Sequence, residues 1–140
     1  MIILDTNVLS ELTKPAASPH VTQWIRSRGS TRELYLTTIT VAEVLFGVEL
    51  LPKGKRRESL LADAEATFTA DFAGRILPFD EAAARSFPAI AFIRRVRGRP
   101  ISLFDAQIAA IAKANNAILA TRNTADFEGC GIHLANPWRD

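Results

Sequence analysis

Short apolar runs alternate with helix-like stretches along this chain, and that alternation restricts the fold more than any other feature. Ile2–Leu4, Leu34–Thr37 (LYLT) and Ala117–Thr121 (AILAT) have the continuous apolar character of strands buried on both faces. Helical patterns lie between them. One follows Asp5 up to about Leu12, and a second is marked by Val21, Trp24 and Ile25 at spacings of three and four. A third covers Ile39–Leu51 and stops before Pro52, and Lys53–Phe72 is rich in strong helix formers. Arg75–Phe79 (RILPF) reads as a strand whose proline suits an edge or an end. Asp80–Val96 returns to helical spacing, with Pro88 predicting a kink or a break. Arg97–Pro100 is a loop, Ser102–Asn115 a helix, and the tail after Gly129 holds one more short strand before Asn136–Trp138. Such alternation implies parallel pairing through right-handed crossovers, hence an α/β sandwich with helices on both faces of a central, mostly parallel sheet. No repeat or linker interrupts it, so residues 1–140 are expected to form a single domain.

Composition narrows the function classes. A chain of 140 residues that is 48% hydrophobic can build its own core without a disulfide or a structural metal. The single cysteine, Cys130, points to a reducing compartment, with cytoplasm the expectation. MIILDTNVLS lacks the basic and apolar regions of a signal peptide, and every apolar run is broken by charge before the roughly 20 residues that span a bilayer. Seventeen Lys and Arg against fifteen Asp and Glu permit a polyanionic partner without demonstrating one.

Four acids stand in surroundings where acids are costly. Asp5 is the only charge between Met1 and Ser10, Glu43 the only one from Leu34 to Val48, and Asp105 the only one from Ile101 to Ala112. Asp126 follows a few residues after the AILAT strand. An unpaired buried carboxylate needs a partner, a metal or a water-filled cleft. Helix capping is the plainer explanation: Thr40-x-x-Glu43, Ser102-x-x-Asp105 and Asn123-x-x-Asp126 have capping spacing, and Asp5 can cap the helix that follows it. The two readings are compatible, because first-turn acids of helices that follow strands share one sheet edge, where ligands bind in such folds. Clustered carboxylates repel unless a cation intervenes, and hard Mg²⁺ or Mn²⁺ suits oxygen ligands while keeping waters, one of which can serve as nucleophile. Zinc is disfavoured because Cys130, His20 and His133 show no ligand spacing.

Three blocks, MIILDTNVLSEL, TVAEVLFGVELL and ISLFDAQIAAIAKANNAILATRNTADFEGCGIHLANPW, resemble in order and separation the PIN-domain ribonucleases, especially the VapC/FitB-like toxins of toxin-antitoxin pairs. The resemblance covers nearly the whole chain and is most specific in DTNVLSEL and ATRNTADF. It implies a metal-dependent endoribonuclease with Asp5, Glu43 and Asp105 around Mg²⁺ or Mn²⁺ and Asp126 completing the cluster directly or through water. Thr6 and Asn7 would be polar groups near Asp5, and Thr121 and Asn123 would stand beside Asp126. Cleavage would leave a 5′-phosphate and a 3′-hydroxyl. A homodimer and a small antitoxin covering the acidic cleft are also implied; Val8, Leu9, Leu12, Trp24 and Ile25 are equally docking positions or core.

Two basic clusters could guide RNA: Arg94, Arg95, Arg97 and Arg99, directly before the Asp105 segment, and Lys53, Lys55, Arg56 and Arg57. Each could equally be a solvated helix end. Two rival readings stay open: a binding module without chemistry, and a phosphatase using Asp5 as nucleophile. The latter usually wants a second Asp where Asn7 stands.

Overall fold

The computed structural model describes residues 1–140. Its centre is a five-stranded sheet, every pairing parallel, in the order β3-β2-β1-β4-β5. The strands are β1 (Ile2–Leu4), β2 (Leu34–Thr37), β3 (Ile76–Leu77), β4 (Ile118–Ala120) and β5 (His133–Ala135). The helices are α1 (Thr6–Leu12), α2 (Pro19–Ser27), α3 (Thr38–Glu49), α4 (Lys55–Ala66), α5 (Glu81–Val96) and α6 (Leu103–Ala114). Pro78 follows directly on β3, which is an edge strand, as its proline led one to expect.

The pleat of β1 divides the core. Ile3 faces a cluster with Ala83 and Ile90 of α5, the buried face of α6, and Leu119 of β4. Ile2 and Leu4 face the opposite side, against Val8 and Leu9 of α1, Trp24 of α2, and Phe68 and Phe72. Two apolar faces on one short strand therefore require helices above and below, giving an α/β/α sandwich.

The chain moves outward from β1 to β2 and β3, then α5 and α6 carry it back across the sheet to β4 on the far side of β1. In open α/β sheets ligands bind beyond the carboxyl ends of the strands at such a reversal, here the ends of β1 and β4.

Three local expectations are revised. α5 runs unbroken for 16 residues through Pro88. Pro88 and Ala84 both lie on the exposed face, so the carbonyl that loses its N–H partner meets water instead of the core. The cap of α3 is Thr37, whose hydroxyl accepts from Thr40 N at 3.1 Å, so Thr40-x-x-Glu43 is not a capping box and Glu43 sits in the second turn. The long helix expected over Lys53–Phe72 is α4 followed by a π turn at Thr67–Asp71, which turns Phe68 and Phe72 inward. Asn116 adopts φ 49°, the left-handed conformation that asparagine tolerates at the end of a helix.

Candidate active site

Asp5 ends β1 and caps α1. Its backbone N–H continues the sheet by donating to Ala120 O of β4 at 2.9 Å. Its carboxylate is buried and accepts from Thr6 N at 2.9 Å, Thr121 Oγ1 at 2.8 Å and Asn7 Nδ2 at 3.3 Å. Thr121 lies one residue beyond β4, so two adjacent strand ends deliver a carboxylate and a hydroxyl to the same point.

Asn7 and Thr121 extend this network to Asp126. Asn7 Oδ1 accepts from Arg122 N at 3.1 Å, and Thr121 Oγ1 accepts from Asn123 N at 3.1 Å. Both bonds fix the chain as it enters the 3₁₀ turn Thr124–Phe127, where Asp126 is exposed. Asn123 makes no side-chain cap, so its capping role falls away; its backbone is the part in use.

Glu43 reaches the cleft from α3. Its Oε1 accepts from Thr6 Oγ1 at 3.1 Å, and Thr6 Oγ1 lies 3.2 Å from Thr40 Oγ1. Thr6 has one hydroxyl proton, which goes to Glu43, so Thr40 is the donor in the second contact. Thr40 is thus a site hydroxyl that sequence reading took for a helix cap; the signal available was the run TTIT, which has three threonines of which only one can cap.

Asp105 arrives by a different route from the one expected. No strand precedes α6; the α5–α6 hairpin brings it in, and Ser102 caps α6 by accepting from Asp105 N at 3.2 Å.

The four acids share one electrostatic environment. Burial pushes the Asp5 carboxyl above its ordinary range, against the pull of its bonds to Thr121, Thr6 and Asn7, and the charge of Asp126 adds to the rise. Burial also raises Glu43, opposed by Thr6 and reinforced by Asp5 and Asp105. Asp105 is raised by burial, then by Asp5 and Asp126, against the Ser102 bond and the charge of Arg94. Asp5 and Asp105 are therefore each within electrostatic reach of the other three acids, with Glu43 on one side and Asp126 on the other. No three of the His, Cys, Asp and Glu side chains form a group able to hold a metal ion by themselves.

The arginine cluster divides. Arg94 is buried, with its Nε and Nη1 bonded to backbone carbonyls, so it is withdrawn from the set expected to meet RNA. Arg95, Arg97 and Arg99 are exposed, and Arg99 pairs with Glu128 at 3.3 Å. In the second cluster Arg57 is engaged by Glu49 at 2.7 Å. Val8, Leu9 and Trp24 are core, and Leu9 together with Leu12 also lines a groove of about 770 Å³ between α1, α3 and α4. That groove opens at the acids, since Thr6 and Glu43 line it too. Ile25 packs at the margin of the core. No helix is long and apolar enough to cross a membrane.

A parallel α/β/α sandwich with strand order 3-2-1-4-5 and an acidic cleft at its reversal point defines the class: a PIN-type α/β protein. The chain belongs to the PIN domain family, whose profile matches residues 2–129. It is 42% identical over 138 residues to VapC ribonuclease Y4jK of Sinorhizobium fredii, covering 99% of this chain and 98% of that one. It is 41% identical over 140 residues to Toxin FitB of Neisseria gonorrhoeae, covering 100% of each. The crystal structure of FitAcB from Neisseria gonorrhoeae matches with a TM-score of 0.90 at 40% identity, covering 100% of both chains.

Proposed function

We propose that this chain is a divalent-metal-dependent endoribonuclease, hydrolysing RNA phosphodiester bonds as the toxin of a toxin-antitoxin pair in the cytoplasm. The observation that carries the reading is the gathering of Asp5, Glu43, Asp105 and Asp126 at the reversal of the sheet, three of them with carboxyls raised by burial and mutual repulsion. Ribonuclease and toxin are the words attached to two relatives of matching length.

The donor set fits a hard cation. It consists of carboxylate and hydroxyl oxygens, the hard ligands that Mg²⁺ and Mn²⁺ prefer, and waters of the ion's own shell would complete its coordination. Asp5, Glu43 and Asp105 would hold the ion, with Asp126 completing the set directly or through water. When bound, such an ion supplies positive charge against the phosphate and an activated water. The chain's own groups orient the ligands. Thr121, Thr6 and Asn7 fix both oxygens of Asp5, and Thr6, itself approached by Thr40, fixes Glu43. Arg95, Arg97 and Arg99 offer phosphate contacts beside the Asp105 hairpin.

The groove between α1, α3 and α4, where Leu9, Leu12, Val44 and Leu60 stand beside Arg56 and Asp63, suits an antitoxin segment of mixed apolar and charged character, and it reaches Glu43. A homodimer is supported by large apolar side chains left exposed on α3 (Phe46) and directly after it (Leu50), on α5 (Phe92, Val96) and at the start of α6 (Leu103, Phe104).

The test is cleavage of a mixed RNA pool with Mg²⁺ or Mn²⁺ and with excess chelator. Metal-dependent endonucleolytic products carrying a 5′-phosphate are expected, and Asp5→Asn should remove them while circular dichroism stays native. A folded Asp5→Asn protein that still cuts would overturn the assignment.

A further inference from the structure

We propose that Arg94 is a positioning residue for the acidic cleft, holding the turn that carries Asp126 against the hairpin that carries Asp105. The inference rests on the reading of that cleft as a divalent-cation site. Among the seventeen Lys and Arg side chains, Arg94 alone is buried, at 6% exposure. It forms no salt bridge with any carboxylate. Its fork goes instead to three backbone carbonyls: Nε donates to Arg99 O at 2.7 Å, and Nη1 donates to Glu128 O at 2.7 Å and Ala125 O at 3.3 Å.

Those acceptors belong to two segments. Arg99 lies in the loop that leads from α5 to Ser102 and Asp105, and Ala125 and Glu128 flank Asp126. Arg94, in the last turn of α5, therefore joins two pieces of chain that each bring an acid to the cleft. The far side of the same turn is tied to Asp5 through Thr121 and Asn123 N. Asp126 is thereby located from both ends, relative to Asp5 through a hydroxyl and relative to Asp105 through a guanidinium.

Burying an unpaired cation is unfavourable, and an apolar side chain would serve packing alone at lower cost. What arginine adds is a planar fork able to fix several carbonyls at once, which the single ammonium of lysine does not reproduce. The charge of Arg94 also reaches Asp105, against the repulsion of the other acids.

Mn²⁺ binding, measured by calorimetry on wild type, Arg94→Lys and the surface control Arg85→Ala, tests this. Groups that orient metal ligands typically change metal affinity roughly 10- to 100-fold when lost, and a weakening of that size is expected for Arg94→Lys. The melting temperature of the apo-protein should stay within a few degrees of wild type, and Arg85→Ala should bind as wild type. A folded Arg94→Lys protein that binds Mn²⁺ within twofold of wild type would sink the proposal. A wild-type protein that binds no Mn²⁺ would instead sink the cation-site reading beneath it. Should Arg94→Lys fail to fold, the wild-type protein decides by nuclear magnetic resonance under Mg²⁺ titration. The Arg94 Nε–H signal should shift with the same midpoint as the Asp105 and Asp126 amides; a signal that stays still while those amides move counts against the assignment.

Discussion

Asp105 shows how a single residue can be valuable to the cleft and unhelpful to the fold. Its carboxyl is raised by burial and by two neighbouring acids, so ionising it in the apo-protein opposes folding. Asp105→Asn should therefore abolish cleavage while leaving the melting temperature of chelator-treated protein unchanged or higher. Scanning calorimetry beside an RNA assay separates the two effects, and a large loss of stability would mark Asp105 as structural. Thr121 should behave in the opposite way. Its buried hydroxyl donates to Asp5 and accepts from Asn123 N, so Thr121→Val removes the shorter of two bonds to Asp5 Oδ2 and the acceptor of Asn123 N, at a cost of about 1–3 kcal/mol. Urea unfolding should show that loss, and Thr121→Ser should recover most of it.

The acids were legible in sequence because a lone charge in an apolar run is costly wherever the run folds, and Asp5, Glu43 and Asp105 each stand in one. Arg94 was not legible. In RRVRGR every arginine looks alike, and only the tertiary placement of the Asp126 turn singles one out for burial.

At the scale of elements, strand and helix order followed from apolar periodicity, whereas caps and breaks did not. Thr37 and Thr40 sit in one run, and which of them caps α3 depends on where β2 stops pairing, a property of the sheet rather than of the local sequence. Thr37→Ala should cost about 1 kcal/mol in chemical denaturation through loss of that cap. Pro88 misled for a related reason. A proline inside a helix predicts a kink or a break, but α5, packed on α6 and into the core, continues through it unbroken. Pro88→Ala should accordingly stabilise the protein by about 1–3 kcal/mol, since it restores an N–H donor and the better helix former. A destabilised Pro88→Ala variant would mean that the ring itself is needed.

For the whole molecule, the three raised carboxyls make stability depend on pH and on cations together. Their folded-state pKa values lie above the ordinary 3.8 of Asp and 4.5 of Glu. Their contribution therefore favours the folded state fully below those values and is lost as pH rises through the higher folded ones. The apo-protein should gain melting temperature as pH falls from neutrality toward the ordinary carboxylate range. Glu11 works the other way: its bonds from Lys14 and Ser18 N lower its pKa, so its contribution disappears only at more acidic pH. Saturating Mg²⁺ should raise the melting temperature at neutral pH and flatten the slope on the way down to the ordinary carboxylate range, because a bound ion removes the repulsion that produces it. A slope unaffected by Mg²⁺ would show that the ion does not sit among these acids.

The reversal of strand order at β1 also governs when the cleft comes into being. Asp5 emerges early in synthesis, but β4, which pairs beside it, and the turn bearing Asp126 follow more than a hundred residues later. The cleft is therefore incomplete in any nascent chain that has not yet extended past residue 126, however early Asp5 has been made.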